Sequence, residues 1–236
     1  MPNRQKGFTL VEIAIVLVII GLLLGGILKG QELITSARVR NLADQNSGIQ
    51  AAYYGFIDRF RQVPGDMKKS LAAQAIDSSA ACMTDTATGA GNGRLEVDDY
   101  AEASCVWHQL ALAGFIQGAY KGTATDDGSY QATDMAPRNA FNGYVMLTRT
   151  TKYLDTASTP PTRLALVLGQ HIPVNVLREL DVKIDDSLPR TGVLRHTSVS
   201  GGSTVFDSSS DCVSTDNPPI WDINKNQQEC NAIYLY

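Results

Sequence analysis

The sequence predicts an α+β fold, and three observations carry that expectation. Residues 8–28 form a 21-residue apolar run with Glu12 as its single charge. A helical, amphipathic pattern continues beyond this run as far as residue 63. The second half of the chain then holds short aliphatic and β-branched runs separated by Ser-, Gly- and Asp-rich segments.

The apolar run comes first. As a helix rising 1.5 Å per residue it would be about 31 Å long, enough to cross a hydrocarbon core of about 30 Å. In lipid only a helix satisfies its own backbone within one segment, so helix is the expectation. The heptapeptide MPNRQKG precedes it, basic through Arg4 and Lys6. A secretory signal would have a shorter apolar stretch followed by a small-residue cleavage site. Here no A-x-A follows, and the apolar run leads straight into more helix.

Glu12 is the exceptional residue. A carboxylate in an apolar span costs roughly 2.5–3.5 kcal/mol at mid-bilayer and less near an end. It is read either as a functional group with a partner or as a residue close enough to the interface to stay wet. Gly21, Gly25, Gly26 and Gly30 also stand out. Each weakens a helix by up to about 1 kcal/mol relative to Ala, which suits a flexible section. Small residues four apart equally suit close helix packing.

Past Lys29, the residues Leu42, Ile49, Tyr53, Phe56 and Phe60 recur at helical spacing and share one face. Val63-Pro64-Gly65-Asp66 then supplies a stop signal. One helix from Phe8 to about Arg61 is the result. A second helix carries Trp107, His108, Leu110, Ala113, Gly114, Phe115 and Ile116, and a short one covers 173–180. Strands are expected at 143–150, 163–169, 193–199 and 233–236. Polar loops fill 75–92, 121–138 and 198–228. The organisation is a leader at 1–7, a transmembrane helix at 8–28, an amphipathic half-helix at 29–63 and a globular head at 64–236.

At 44% hydrophobic and 19% charged, the 236 residues are ordinary for a folded chain. A net charge of −4 gives no global pull toward nucleic acid. The four cysteines form neither a C-x-x-C pair nor a zinc pattern with the three histidines. An even count behind an export-like N-terminus points to two disulfides. Of the three possible connectivities, sequence neighbourhood favours Cys82–Cys105 with Cys212–Cys230.

No nucleophile elbow, Walker loop, H-E-x-x-H or dinucleotide fingerprint occurs, so no enzyme and no cofactor is expected. His108 reads as structural, the Lys68-Lys69 pair as solvated surface and Gly201-Gly202-Ser203 as a loop. Asp222-x-Asn224-x-Asn226 opens like an EF-hand, but the sixth position is Gln227 and the twelfth is Ile233. No metal ligand set is assigned, and calcium in the 216–229 loop stays open beside a polar turn closed by Cys212 and Cys230.

Lys6-Gly7-Phe8-Thr9-Leu10-Val11-Glu12 resembles the processing site of type IV prepilins and type II secretion pseudopilins. The resemblance implies cleavage between Gly7 and Phe8 by a prepilin peptidase, and N-methylation of Phe8. It also implies that Glu12, the fifth mature residue, pairs with the N-terminal amine of a neighbouring subunit. Gly21 matches a glycine of that family's first helix, while Lys29 stands where a proline is often found. Three head segments are similar to one group of pilin-like proteins: the Pro64-Gly65-Asp66 exit, Gly91-Asn92-Gly93-Arg94-Leu95, and the stretch from Lys183 through Asp185-Asp186 to Pro189 and Gly192. Ser187 replaces the usual glycine after the two aspartates.

The fold so implied is the type IV pilin fold, a long N-terminal helix packed on an antiparallel sheet. The function implied is a structural subunit of a type IV pilus-like filament. Such a subunit is single-pass in the inner membrane before assembly and in the extracellular pilus after it. Its partners would be other pilin subunits, prepilin peptidase and the inner-membrane assembly machinery. The alternatives are a type II secretion pseudopilin, or a minor or tip pilin that binds a surface or DNA. No basic, aromatic-interleaved patch for nucleic acid is visible.

Overall fold

The structure is a computed structural model that describes residues 10–82, 89–132 and 134–236. The chain divides into two compact units, Met1–Arg38 and Val39–Tyr236. Helix α1, Leu10–Phe60, has 51 residues and contributes to both.

In the first unit every described side chain up to Lys29 is exposed, with Leu10 at 86% and Leu22 at 74%. Lys29 and Glu32, one turn apart, form an exposed ion pair at 2.7 Å. The helix is unbroken through Gly21, Gly25, Gly26 and Gly30, and nothing lies within 4 Å of where a Cβ would stand on any of them.

The second unit is built around the rest of α1. Val39, Leu42, Asn46, Ile49, Ala52, Tyr53 and Phe56 are buried, at the three- and four-residue steps of one helix face. Phe60 is partly buried, its ring 4.6 Å from that of Phe56. The helix exits through Arg61, whose φ is 54°, into Pro64-Gly65-Asp66. Helix α2, Lys69–Ala75, follows at once and has no counterpart in the sequence reading.

Helix α3, Tyr100–Leu112, starts where the Asp99 carboxylate accepts from Glu102 N–H at 2.9 Å. It stops before the predicted Phe115 and Ile116. Gly114, at φ 81°, closes a Schellman turn in which Phe115 N–H reaches Leu110 O at 2.9 Å and Gly114 N–H reaches Ala111 O at 3.0 Å. That reversal sets the Phe115 ring 6.0 Å from Phe56 and so buttresses α1. Helix α4, Asp127–Tyr130, places Tyr130 in the core. There its hydroxyl accepts from Trp107 Nε1 at 2.7 Å and donates to Val145 O at 2.9 Å.

Four antiparallel strands make the sheet: β1 Met146–Thr150, β2 Arg163–Val167, β3 Leu194–His196 and β4 Ala232–Leu235, in the order β1-β2-β4-β3. Registers pair Met146 with Val167, Ala165 with Leu235 and Leu194 with Tyr234. The last strand in sequence therefore lies inside the sheet. Tyr236 Oη donates to Asn46 Oδ1 at 2.8 Å, tying the end of this strand to α1. Helix α5, Val174–Ile184, buries Val174, Val176, Leu177, Leu180 and Asp181, and runs four residues past the expected end. The architecture is α+β, a long N-terminal helix with a four-stranded antiparallel sheet, consistent with the pilin fold.

Candidate assembly segment and the acidic sites of the head

The N-terminal segment is defined by what it leaves uncovered. Its most apolar 18-residue window has a mean hydropathy of 2.8 and is 0% buried, so by length and composition it can cross a membrane. Apolar surface of this extent, bare on an isolated chain, calls for lipid or for other helices. Glu12 stands in the first turn of α1. Gly7 and Phe8, the expected cleavage and methylation residues, lie outside the described residues.

Two of the quoted head segments meet. The Asp66 carboxylate, fully buried, accepts from Gly91 N–H at 2.6 Å, Asn92 N–H at 3.2 Å and Gly93 N–H at 2.7 Å. Gly65 N–H donates to Gln109 Oε1 of α3 at 2.8 Å. Gly65 has φ 91°, and an added Cβ would stand 2.6 Å from Val106 Cγ2 and 2.7 Å from Glu102 O. The Pro-Gly-Asp turn is thus the joint at which α1, the 89–93 loop and α3 are fastened.

Beside it lies Glu102, 1% exposed. Its Oε2 accepts from Glu96 N–H at 2.5 Å while Oε1 has no partner. Burial pushes this carboxyl up to about 7, opposed by the Glu96 N–H and reinforced by the charges of Asp99, Asp66 and Glu96. His196 is buried as well, and burial holds it down at about 4, hence neutral at pH 7. Its Nε2 lies 2.7 Å from Ser208 Oγ, and Ser208 is 1% exposed, so this pair is a hydrogen bond inside the core.

The cysteines pair Cys82 with Cys105 and Cys212 with Cys230, both at Cα–Cα 5.8 Å. The first bond ties the segment after α2 to α3. The second closes the region holding the EF-like run. In that region Asp222 caps a short 3₁₀ turn, accepting from Asn224 N–H at 3.2 Å, and Asp211 pairs with Lys225 at 2.5 Å. His108 bridges two backbone carbonyls, with Nε2 2.6 Å from Ser79 O and Nδ1 close to Tyr120 O. Lys68 and Lys69 are exposed.

Among the described residues, the acidic group that does converge is elsewhere. Asp181, Asp185 and Asp186, at the C-terminal end of α5, each bring one oxygen within 4.8 Å of the others. Asp181 is fully buried: its Oδ2 accepts from Trp221 Nε1 at 2.7 Å, and Oδ1 has no partner. In the sequence these aspartates show only as part of a turn. The signal was the i, i+4, i+5 spacing, which returns three carboxylates to one end of a helix.

Among known proteins, the profile described as the prokaryotic N-terminal methylation motif matches residues 2–28. No curated protein and no solved structure matches the chain. The motif implies processing by a prepilin peptidase and assembly into pilin filaments, and with the apolar helix it fits membrane anchoring before assembly. The motif, which takes in the apolar start of α1, and the α+β head behind it support a type IV prepilin-like protein.

Proposed function

We propose that the chain is a structural subunit of a type IV pilus-like extracellular filament. Cleavage after Gly7 frees Phe8, which is N-methylated. The subunit waits as a single-pass protein of the inner membrane and joins others through α1, with the Glu12 carboxylate paired to the Phe8 amine of a neighbour. The observation that carries this reading is the bare apolar stretch of α1 with Glu12 near its start, inside the matched motif. Such a helix is covered by lipid in one state and by its own kind in the other, and a carboxylate near its tip gives the second state a specific partner.

The test is peptide mass analysis of sheared surface filaments and of the membrane fraction. A mature N-terminus at Phe8 carrying an extra methyl group, in both fractions, is the expected result. A mature N-terminus elsewhere, or absence of the chain from sheared filaments, would count against the reading.

A further inference from the structure

We propose that Asp181, Asp185 and Asp186 form a site for a hard divalent cation, calcium by preference, at the C-terminal end of α5. The proposal concerns the head alone and stands whatever the N-terminal segment joins. One oxygen from each carboxylate lies within 4.8 Å of the other two. Calcium binds oxygen at about 2.3–2.6 Å, so two ligands on opposite sides of the ion are about 4.8 Å apart. Magnesium, at about 2.0–2.1 Å and strictly octahedral, asks for a tighter set.

The second observation is Asp181 itself. It is 0% exposed, and its Oδ1 lacks a hydrogen-bond partner. A buried carboxylate oxygen left without a partner costs about 1–3 kcal/mol or more, and a cation removes that cost. The indole N–H of Trp221 holds the other oxygen at 2.7 Å and so fixes the plane of the group, as supporting hydrogen bonds do for carboxylate ligands.

The remaining two carboxylates are preorganised. Asp186 accepts from Leu188 N–H at 2.9 Å and from Thr191 Oγ1 at 2.5 Å. Asp185 Oδ2 accepts from Val193 N–H, and from Leu194 N–H at 3.2 Å. Each Asp186 oxygen keeps a lone pair and Asp185 keeps its Oδ1, so ligation through these breaks none of the bonds.

Charge is the last argument. Among the described residues no Lys, Arg or His forms an ion pair with any of the three. Two basic groups close by in sequence are engaged elsewhere: Lys183 with Glu179 at 2.6 Å, and Arg190, which donates to Asp155 O at 2.6 Å. The helix adds its own negative end at this place. Three carboxylates beside a negative helix end favour a cation among them.

The experiment is calorimetric titration of the full chain in detergent micelles, stripped with chelator, using calcium chloride and, in a parallel arm, magnesium chloride. The expected result is one calcium per chain with a dissociation constant of about 10⁻⁴–10⁻³ M, the range of extracellular calcium modules. Magnesium should bind at least about tenfold more weakly, and Trp221 emission should shift with calcium. Asp186→Asn, on an exposed side chain, and Asp181→Asn should each weaken calcium about tenfold or more. If Asp181→Asn does not fold, Asp186→Asn carries the comparison alone. No saturable calcium binding to folded wild type would overturn the site. So would calcium affinity unchanged in the variants, and equal affinity for magnesium would overturn the preference for calcium.

Discussion

Glu102 shows what a single buried carboxyl does to the head. Its folded pKa, about 7, lies above its ordinary value of 4.5, so the folded state holds the extra proton between those values. Stability contributed by the protonated form is complete below about 4.5 and is lost as pH rises through about 7. Glu102→Gln keeps an oxygen for Glu96 N–H and cannot ionise. The variant should gain on wild type as pH rises through this window, by on the order of 3 kcal/mol once the window is passed. Urea unfolding of the full chain at about pH 5 and about pH 8 checks this; a gap that does not change with pH would refute it. Glu12 acts at the other end of the chain. On the proposed pairing, Glu12→Leu should insert and be cleaved normally, because Gly7 and Phe8 are untouched. It strands the neighbour's amine, a loss of about 3–5 kcal/mol. Incorporation into filaments should then fall by roughly two to three orders of magnitude, read by immunoblot of sheared against membrane fractions. Entry at wild-type levels would return Glu12 to a residue kept wet by the interface.

Among the elements, the exit of α1 carries the clearest prediction. Asp66→Ala removes the carboxylate that accepts three backbone N–H groups. Gly91 and Asn92 keep other acceptors, Asp66 O and Gly89 O, but Gly93 has none to fall back on. The loss should be about 2–4 kcal/mol, with Asp66→Asn milder because one oxygen remains. Equal unfolding midpoints for the two variants would contradict this account. How the sequence announced these elements differs from one to the next. The course of α1 was readable because Leu42, Ile49, Tyr53 and Phe56 repeat at helical spacing and Pro64-Gly65 stops the run. The sequence pattern of α3 outruns the helix, since Phe115 continues the apolar pattern while Gly114 reverses the chain beneath it. Helix α2 was unmarked: seven residues with only Ala72 buried leave no periodic trace. The strand-like run 193–199 outlasts β3 because pairing with β4 ends at His196, where that strand begins at Ala232. The aspartates of α5 read as a turn because the residue that encloses Asp181, Trp221, comes from far along the chain.

For the molecule as a whole, the C-terminal cross-link should matter to stability. Cys212 and Cys230 stand 18 positions apart in the sequence. Closing a loop of that size contributes about 3 kcal/mol in the chain-entropy account. The double change Cys212→Ala with Cys230→Ala should lower the unfolding temperature by several degrees, read by circular dichroism with and without reductant. Reductant should then leave a smaller drop in the variant than in wild type, with only Cys82–Cys105 left to open. The strand order has a further consequence, and it concerns time. Strand β4 is the last strand to leave the ribosome, yet its place is between β2 and β3. Until it arrives, β2 and β3 each keep an open edge, and open edges recruit other chains. The sheet therefore cannot close piecemeal during synthesis. For as long as β4 is missing, the unfinished head is the aggregation-prone form of this protein, and that is the interval in which a holdase would have something to protect.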